Sequence, residues 1–250
     1  MSVSTNRGVL ICIEGIDGSG KTTLCQNLFS YFKNLNRLSE KCCKISFPEI
    51  HNQTGKLIEE ILRKTEYVDN EILTFLFALN RYEMKDTIEK LLENGITLFV
   101  DRYTLSGLAY ARAILDSSFY EWITEINAFD IIPDLTLYLD VSLETAVNRK
   151  TEKEKLYDGD IEKLEQIQNN YRWLIETEKN LGKIIELDGE QNEEMLLHNA
   201  VFEIEKILME NARQPVQQLR RKDTNEKLEI IFEAFKKIFE NDHPPLPPSL

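Results

Sequence analysis

The residues best placed to do chemistry lie near the start of the chain. Gly15-Ile16-Asp17-Gly18-Ser19-Gly20-Lys21-Thr22 follows the spacing Gly-x4-Gly-Lys-Thr, which builds a phosphate-binding loop. Glycines let a backbone curl around a polyphosphate with its N–H groups turned inward. Lys21 then offers a cation to the outer phosphates and Thr22 a hydroxyl to Mg²⁺. Gly15, Gly18, Ser19, Gly20 and Thr23 complete the candidate cradle, and a helix starting there aims its positive end at the anion. A second candidate is Asp101-Arg102-Tyr103, which follows the apolar run ITLFV. An aspartate there is the acidic partner expected across from a phosphate loop, where it holds Mg²⁺ or its water. The adjoining arginine presents two parallel N–H groups to another phosphate. A third candidate is the pair Phe77 and Arg81, four apart and so on one helical face, able to offer a ring and a guanidinium to one ligand. On their own these two read more plainly as a core ring and a solvated charge.

The elements that must position these groups are legible as alternating apolar strands and helices. Val9 to Ile13 is a buried strand before the loop, and Leu24 to Phe32 a helix after it. Further strands are expected over Lys41 to Phe47, Ile96 to Val100, Leu135 to Val141 and Lys183 to Leu187. Helical spacing marks Gly55 to Arg63, Asp69 to Glu93, Thr104 to Leu115, Phe119 to Phe129, Glu144 to Lys150, Ile161 to Leu181 and Glu193 to Met209. The fold class is therefore α/β, a five-stranded parallel sheet with helices on both faces. In such sheets ligands bind beyond the carboxyl ends of the strands, where the phosphate loop and Asp101 both fall. Residues 1–210 form this domain. Residues 211–250 are an extension with an amphipathic helix over 223–240 and a Pro-rich tail. That helix is read equally as packing on its own domain or as contacting a protein partner.

Composition narrows the function. With 42% hydrophobic and 29% charged residues in 250, the chain is that of an ordinary globular protein. A net charge of −13 excludes a general nucleic-acid or membrane-surface role, since both partners are polyanions. No apolar run is long enough to span a bilayer, and the first residues lack a signal-peptide core. The four cysteines show no metal-ligand spacing and read as reduced thiols of a cytoplasmic protein, with the nucleus the alternative compartment. EILTFLFALNR, within Asp69 to Glu93, is apolar nearly all round. It predicts burial on two sides, against its own sheet and against a second copy in a homodimer.

Taken in order, these motifs resemble the thymidylate kinase family of P-loop nucleoside monophosphate kinases. The resemblance runs from Arg7 to Met209 through IEGIDGSGKTT, Phe47-Pro48-Glu49, Thr54-Gly55-Lys56-Leu57 and LFALNRYE. It continues through VDRYTLSGLAYA and Pro133-Asp134-Leu135 to Tyr157-Asp158-Gly159. It implies a three-layer P-loop kinase fold and ATP- and Mg²⁺-dependent phosphorylation of dTMP to dTDP, a step in dTTP biosynthesis. Lys21 and the loop would hold ATP, Thr22 and Asp101 would serve Mg²⁺, and Arg149 would stand near adenine at the start of a lid over about 149–159. Asp17 would meet the acceptor's 3′-hydroxyl or nearby phosphate. Arg102 would clamp the acceptor phosphate beside Glu49. Phe47 belongs to the acceptor side, Phe77 would stack on thymine and Arg81 would hydrogen-bond the base. Ser106, Gly107 and Tyr110 would line the pocket, and Tyr157 would crowd the sugar's 2′ side.

Two departures from the family pattern bear on efficiency rather than reaction type. Gly18 stands where eukaryotic members usually carry arginine, yet the lid offers Lys150, Lys153 and Lys155, with Leu156 where arginine often precedes the tyrosine. Ile50 replaces the arginine that usually follows Phe-Pro-Glu. They keep two alternatives in view. One is a deoxynucleoside kinase with Glu49 as base. The other is a weakly catalytic nucleotide-binding protein whose C-terminal helix binds a partner.

Overall fold

The computed structural model of the chain describes residues 7–35, 41–64, 68–149 and 161–213. The chain divides into two units, Met1–Val216 and Gln217–Leu250, and the second lies wholly outside the described residues. So do Tyr157 with the rest of the expected lid after Arg149, the expected helix over 223–240 and the Pro-rich tail.

Five strands make one parallel sheet: β1 (Leu10–Glu14), β2 (Cys42–Ser46), β3 (Thr97–Asp101), β4 (Leu135–Asp140) and β5 (Ile184–Asp188), in the order β2-β3-β1-β4-β5. β1 and β3 are buried along their whole length, which is why they read as unbroken apolar runs rather than alternating ones. The register sets Ile13 beside Asp101 and Glu14 beside Tyr138. The two chemical motifs therefore emerge from adjacent strands at one edge.

Eight described helices cover the sheet: α1 (Lys21–Asn34), α2 (Gln53–Lys64), α3 (Asn70–Glu93), α4 (Thr104–Ile114), α5 (Ser117–Asn127), α6 (Leu143–Arg149), α7 (Ile161–Thr177) and α8 (Glu193–Arg213). On one face, Leu24, Leu28 and Phe32 of α1 and Ala200 and Ile204 of α8 pack on Ile11, Ile13, Leu137 and Leu139. On the other, Leu105 and Leu108 of α4, Ala146 of α6 and Leu164, Ile167 and Tyr171 of α7 close over Tyr138 and Val141. Each buried Leu, Ile, Val or Phe among them contributes roughly 1.5–3 kcal/mol.

Most helix boundaries shift by one or two residues, as at α5, which spans Ser117–Asn127 rather than Phe119 to Phe129, and three shift further. α1 starts at Lys21 rather than Leu24, because the left-handed Gly20 itself caps it. α7 ends at Thr177, before Gly182 at φ 81. α8 runs on past Met209 through Arg213, the last described residue. The all-round apolarity of α3 is used largely within the chain. Phe75 stacks on Trp122 of α5 with ring centroids 5.3 Å apart, and Leu76, Ala78, Ile88 and Leu92 are buried. Ile72 is left 38% exposed. Among the described residues no helix is long and apolar enough to cross a membrane.

Candidate active site

The loop between β1 and α1 opens onto a cavity of about 620 Å³. α1 begins without a side-chain cap and without an acidic residue in its first turn, so its leading N–H groups stay available to an anion. Lys21, Thr22 and Thr23 of that turn line the cavity with Asp17, Gly18, Ser19 and Gly20. Lys21 is buried; its Nζ donates to Ile16 O at 2.9 Å and to Asp17 Oδ1 at 3.4 Å. Burial pulls its pKa down to about 8, and Arg102 adds to the fall against the opposing Asp17 and Asp101 carboxylates. Such an ammonium gains from an incoming polyphosphate, which restores the charge that burial disfavours.

Arg149, at the end of α6, faces the same cavity and donates to Ser19 O at 3.3 Å and to Gly189 O at 3.1 Å. It thus joins the loop to the turn after β5. The approach of α6 depends on Gly18. With φ +84, a Cβ there would sit 2.8 Å from the carbonyl carbon and 3.0 Å from Cα of Ala146, and closer still to its oxygen. The Gly18 departure therefore has a steric cause: the backbone of α6 occupies the space a side chain would need.

β3 delivers Asp101 and Arg102 opposite. Arg102 has φ 65 and is the single described non-glycine residue with positive φ, a conformation that costs about 1–2 kcal/mol. Its guanidinium pairs with Asp17 Oδ1 and lies 5.8 Å from the Tyr110 ring centroid. Tyr110 donates its hydroxyl to Asp17 Oδ2 at 3.0 Å. Burial alone would raise the Asp17 pKa, but Arg102, Lys21 and the Tyr110 hydroxyl overcome it and hold the carboxyl well below the usual carboxylate range. The same partnership raises the Arg102 pKa against the pull of burial. Asp17 is thus a fixed anion between a loop cation and a strand cation.

Beyond Arg102 lie the residues expected on the acceptor side. Phe47 is buried, with its ring tilted on Tyr103 at 5.7 Å between centroids and its N–H donating to Asp101 O at 3.0 Å. Asn80, fully buried on α3, accepts from Glu49 N at 2.7 Å and donates to Glu49 O, Asn52 Oδ1 and Thr54 Oγ1. It pins the turn that carries Glu49. Glu49 Oε1 accepts from His51 N at 3.0 Å; no described hydrogen bond joins it to Asp17, Lys21 or Arg102. Phe77 is half-buried. Arg81 is not a solvated charge: its Nε donates to Asp130 Oδ2 at 2.9 Å and an Nη to Asn127 Oδ1, with the side chain 4% exposed. A Cβ at Gly107 would come 2.8 Å from that guanidinium, so the glycine makes room for Arg81. Ser106 is buried, with its hydroxyl donated to Glu14.

Two oxygens bear on a metal. Asp101 Oδ1 and Ser19 Oγ are buried with no partner among the described residues. Those residues contain no group of three or more His, Cys, Asp and Glu able to hold an ion by themselves. A hard cation held by one carboxylate, a hydroxyl, waters and substrate phosphates suits Mg²⁺, which keeps much of its hydration. Thr22, exposed at the cavity, and Asp101 fit that sparse set. Cysteine chemistry is unfavoured here, as burial pushes the Cys25 thiol up to about 12.

Several site residues were invisible in the motifs. Gly189, Gln191, Glu193 and Leu196 wall the cavity on the far side of Arg149, and Asn27 does so from α1. Asp130 and Asn127 orient Arg81, yet they lie outside every motif. Glu14 carried a signal, an acid closing an otherwise apolar strand just before the glycines.

The model of the thymidylate kinase family matches residues 13–201. A putative thymidylate kinase 251L from Invertebrate iridescent virus 6 is 35% identical over 171 residues, covering 68% of this chain and 77% of that one. The Arabidopsis thaliana thymidylate kinase is 38% identical over 144 residues, 57% of this chain and about half, 52%, of that one. The zebrafish (Danio rerio) enzyme is 36% identical over 147 residues, 59% of this chain and 68% of that one. The solved thymidylate kinase of Candida albicans superposes with a TM-score of 0.67 at 26% identity, covering 84% of this chain and 99% of that one.

Proposed function

The chain belongs to the thymidylate kinase family and phosphorylates dTMP, and we propose that its described residues divide that work between two ends of one cleft. The observation that carries the division is Asp17 seated between Lys21 of the loop and Arg102 of β3. The first cation faces the donor, the second the acceptor. The loop amides, Lys21 and Arg149 hold the ATP end, with the wall around Gln191 and Leu196 beside it. Arg102 receives the acceptor phosphate, and Asp17 and Tyr110 fix its direction. Arg81, oriented by Asp130 and Asn127, faces the base together with Phe77. Thr22 and Asp101 would hold Mg²⁺, which would supply charge neutralisation along the donor phosphates.

The chemistry asks little of a base. An oxygen of the dTMP phosphate bonds to the γ-phosphorus while the bond from that phosphorus to the β-bridging oxygen breaks, and ADP leaves with the electron pair. The attacking oxygen is already anionic, so no side chain needs to remove a proton. What the residues contribute is alignment of two polyanions and cations set where charge accumulates. Glu49, bonded within its own turn, supports the acceptor loop in this reading.

A homodimer through the helix over Asp69 to Glu93, with α2 packed beside it, is part of the same proposal. Leu57, Leu62 and Ile72 on α2 and α3 are 40%, 49% and 38% exposed. Their apolar area supports contact with a second copy. A reducing intracellular setting is supported by four free thiols.

The test is a coupled assay with ATP and Mg²⁺ offering dTMP and thymidine side by side, on wild type and Arg102→Ala. Turnover is expected with dTMP alone, and Arg102→Ala should lower it by about 10³-fold or more. Preference for thymidine, or near wild-type activity in the variant, would overturn the assignment.

A further inference from the structure

Arg102 works from a strained backbone, and something must hold it there. The peptide before it is fixed by Arg102 N donating to Ile13 O at 3.1 Å. The peptide after it is fixed by Tyr103 N donating to Glu14 Oε1 at 2.8 Å. Consecutive residues of β1 thus grip both sides of the Arg102 Cα. The same Oε1 accepts from Ser106 N at 3.1 Å. Tyr103 is the N-cap residue of α4 and supplies no side-chain cap of its own. Glu14 does that job from a neighbouring strand, meeting the N–H groups of the cap and of the third helical residue.

Glu14 is also tied to the phosphate loop. Its Oε2 takes the Ser106 hydroxyl, and the Tyr171 hydroxyl lies 3.3 Å away. That phenol is 3.2 Å from Gly15 O and 2.9 Å from Ser106 Oγ, with one proton to share among them. The carboxyl group is fully buried, and burial raises its pKa against the hydrogen bonds from Ser106 and Tyr103. Glu14 lines none of the 620 Å³ cavity and reaches the acceptor side through Ser106 and the backbone next to Arg102.

We propose that Glu14 is a positioning residue for phosphoryl transfer: it locks Arg102 in its left-handed conformation and thereby aims the guanidinium across the cleft at Asp17 and the acceptor phosphate. Without an acceptor at this point, Tyr103 N and Ser106 N lose their partner. Arg102 then relaxes toward an ordinary φ, and its guanidinium leaves the line set by β3. The donor half keeps Lys21 on Ile16 O and the leading N–H groups of α1, and meets this grip only through the Tyr171 hydroxyl at Gly15 O.

The inference rests on the role given above to Arg102, and a double-mutant cycle separates the two. Glu14→Ala and Glu14→Gln are made in wild type and in Arg102→Ala, with kcat, KM for dTMP, equilibrium ATP affinity and Tm measured for each. Glu14→Ala is expected to lower kcat/KM for dTMP by about 100-fold, as for loss of a preorganised charge-stabilising group. ATP affinity should stay within about twofold, and the further loss in Arg102→Ala should be under about threefold, since the two act as one unit. Glu14→Gln keeps a carbonyl toward both amides but loses the charge, so about a tenfold loss is expected, also absent in the Arg102→Ala background. Losses that multiply across the cycle, or ATP affinity falling in step with dTMP turnover, overturn the inference and leave only a structural role. If Glu14→Ala does not fold, Glu14→Gln is read by the same criteria, and wild-type kinetics in it overturn the inference too. An Arg102→Ala without effect would instead refute the reading of the site.

Discussion

Gly18→Ala puts the packing of α6 on the loop to a quantitative test. Two costs are separable. An L-residue held at φ +84 pays about 1–2 kcal/mol for the left-handed backbone. A Cβ at 2.8 Å from the Ala146 carbonyl carbon adds an overpacking cost of about 1–3 kcal/mol, because the obstacle is backbone and cannot rotate away. Together these come to about 2–5 kcal/mol, or a fall in Tm of roughly 4–20 °C at about 2–4 °C per kcal/mol for a domain of this size. Should α6 move instead of the loop straining, Arg149 would withdraw from Ser19 O and Gly189 O. With those bonds gone Arg149 would no longer be held at the cavity, and losing one charged contact to ATP, worth roughly 1.5–3 kcal/mol, would lower ATP affinity by about tenfold or more. Gly20→Ala is the matched control. Its φ is +93, but a Cβ there meets only an Arg149 nitrogen at 3.8 Å, an ordinary contact. It should show the backbone cost alone. Calorimetric Tm of the nucleotide-free protein and titration with ATP read both effects. A Gly18→Ala variant as stable as Gly20→Ala, with ATP affinity unchanged, would refute the steric account. On that account Gly18→Arg fails in the same way, whatever charge it adds.

Asp17 and the subunit contact give two more tests. The Asp17 pKa is depressed in the fold, so its stabilisation is full above the unfolded value of about 3.9 and fades as pH falls toward the folded one. Urea unfolding should therefore show wild type more stable than Asp17→Asn at pH 5 to 7, with the gap closing below about pH 4; a gap that persists unchanged to pH 2 would contradict the ion-pair origin. Light scattering at micromolar concentration should give twice the 29.2 kDa chain mass, and Leu62→Asp should halve it. A monomeric wild type would remove the dimer from the reading.

The sheet could be read from the chain because its three inner strands, β1, β3 and β4, are buried on both sides, and burial of that kind leaves a local trace in composition. The loop was legible for a similar reason, since its function is carried by consecutive backbone and by Lys21 within one turn. What escaped was pairing at long range. Glu14 meets Tyr103, Ser106 and Tyr171 at separations of 89, 92 and 157 residues, and no window along the chain contains both ends. Arg81 shows the opposite error. Its charge suggested solvent, but Asp130, 49 residues away, lets it sit buried. The apolar first half of α3 implied a second copy, while Trp122 of the same chain occupies one side of it. Periodicity states that a face is covered and is silent about what covers it.

The arrangement around Asp17 also resolves an apparent conflict in charge. A chain of net charge −13 must attract two polyanions, and screening at about 8–10 Å makes the distant acids nearly irrelevant to that task. Within the cleft, Lys21, Arg102 and Arg149 line one cavity with Asp17 and Glu193. Lys21 and Arg102 both pair with Asp17. That carboxylate, with Asp101 nearby, lets two cations coexist, buried or half-buried, and Arg149 brings a third to the same cavity. Phosphates entering from either side then meet cations already held in place.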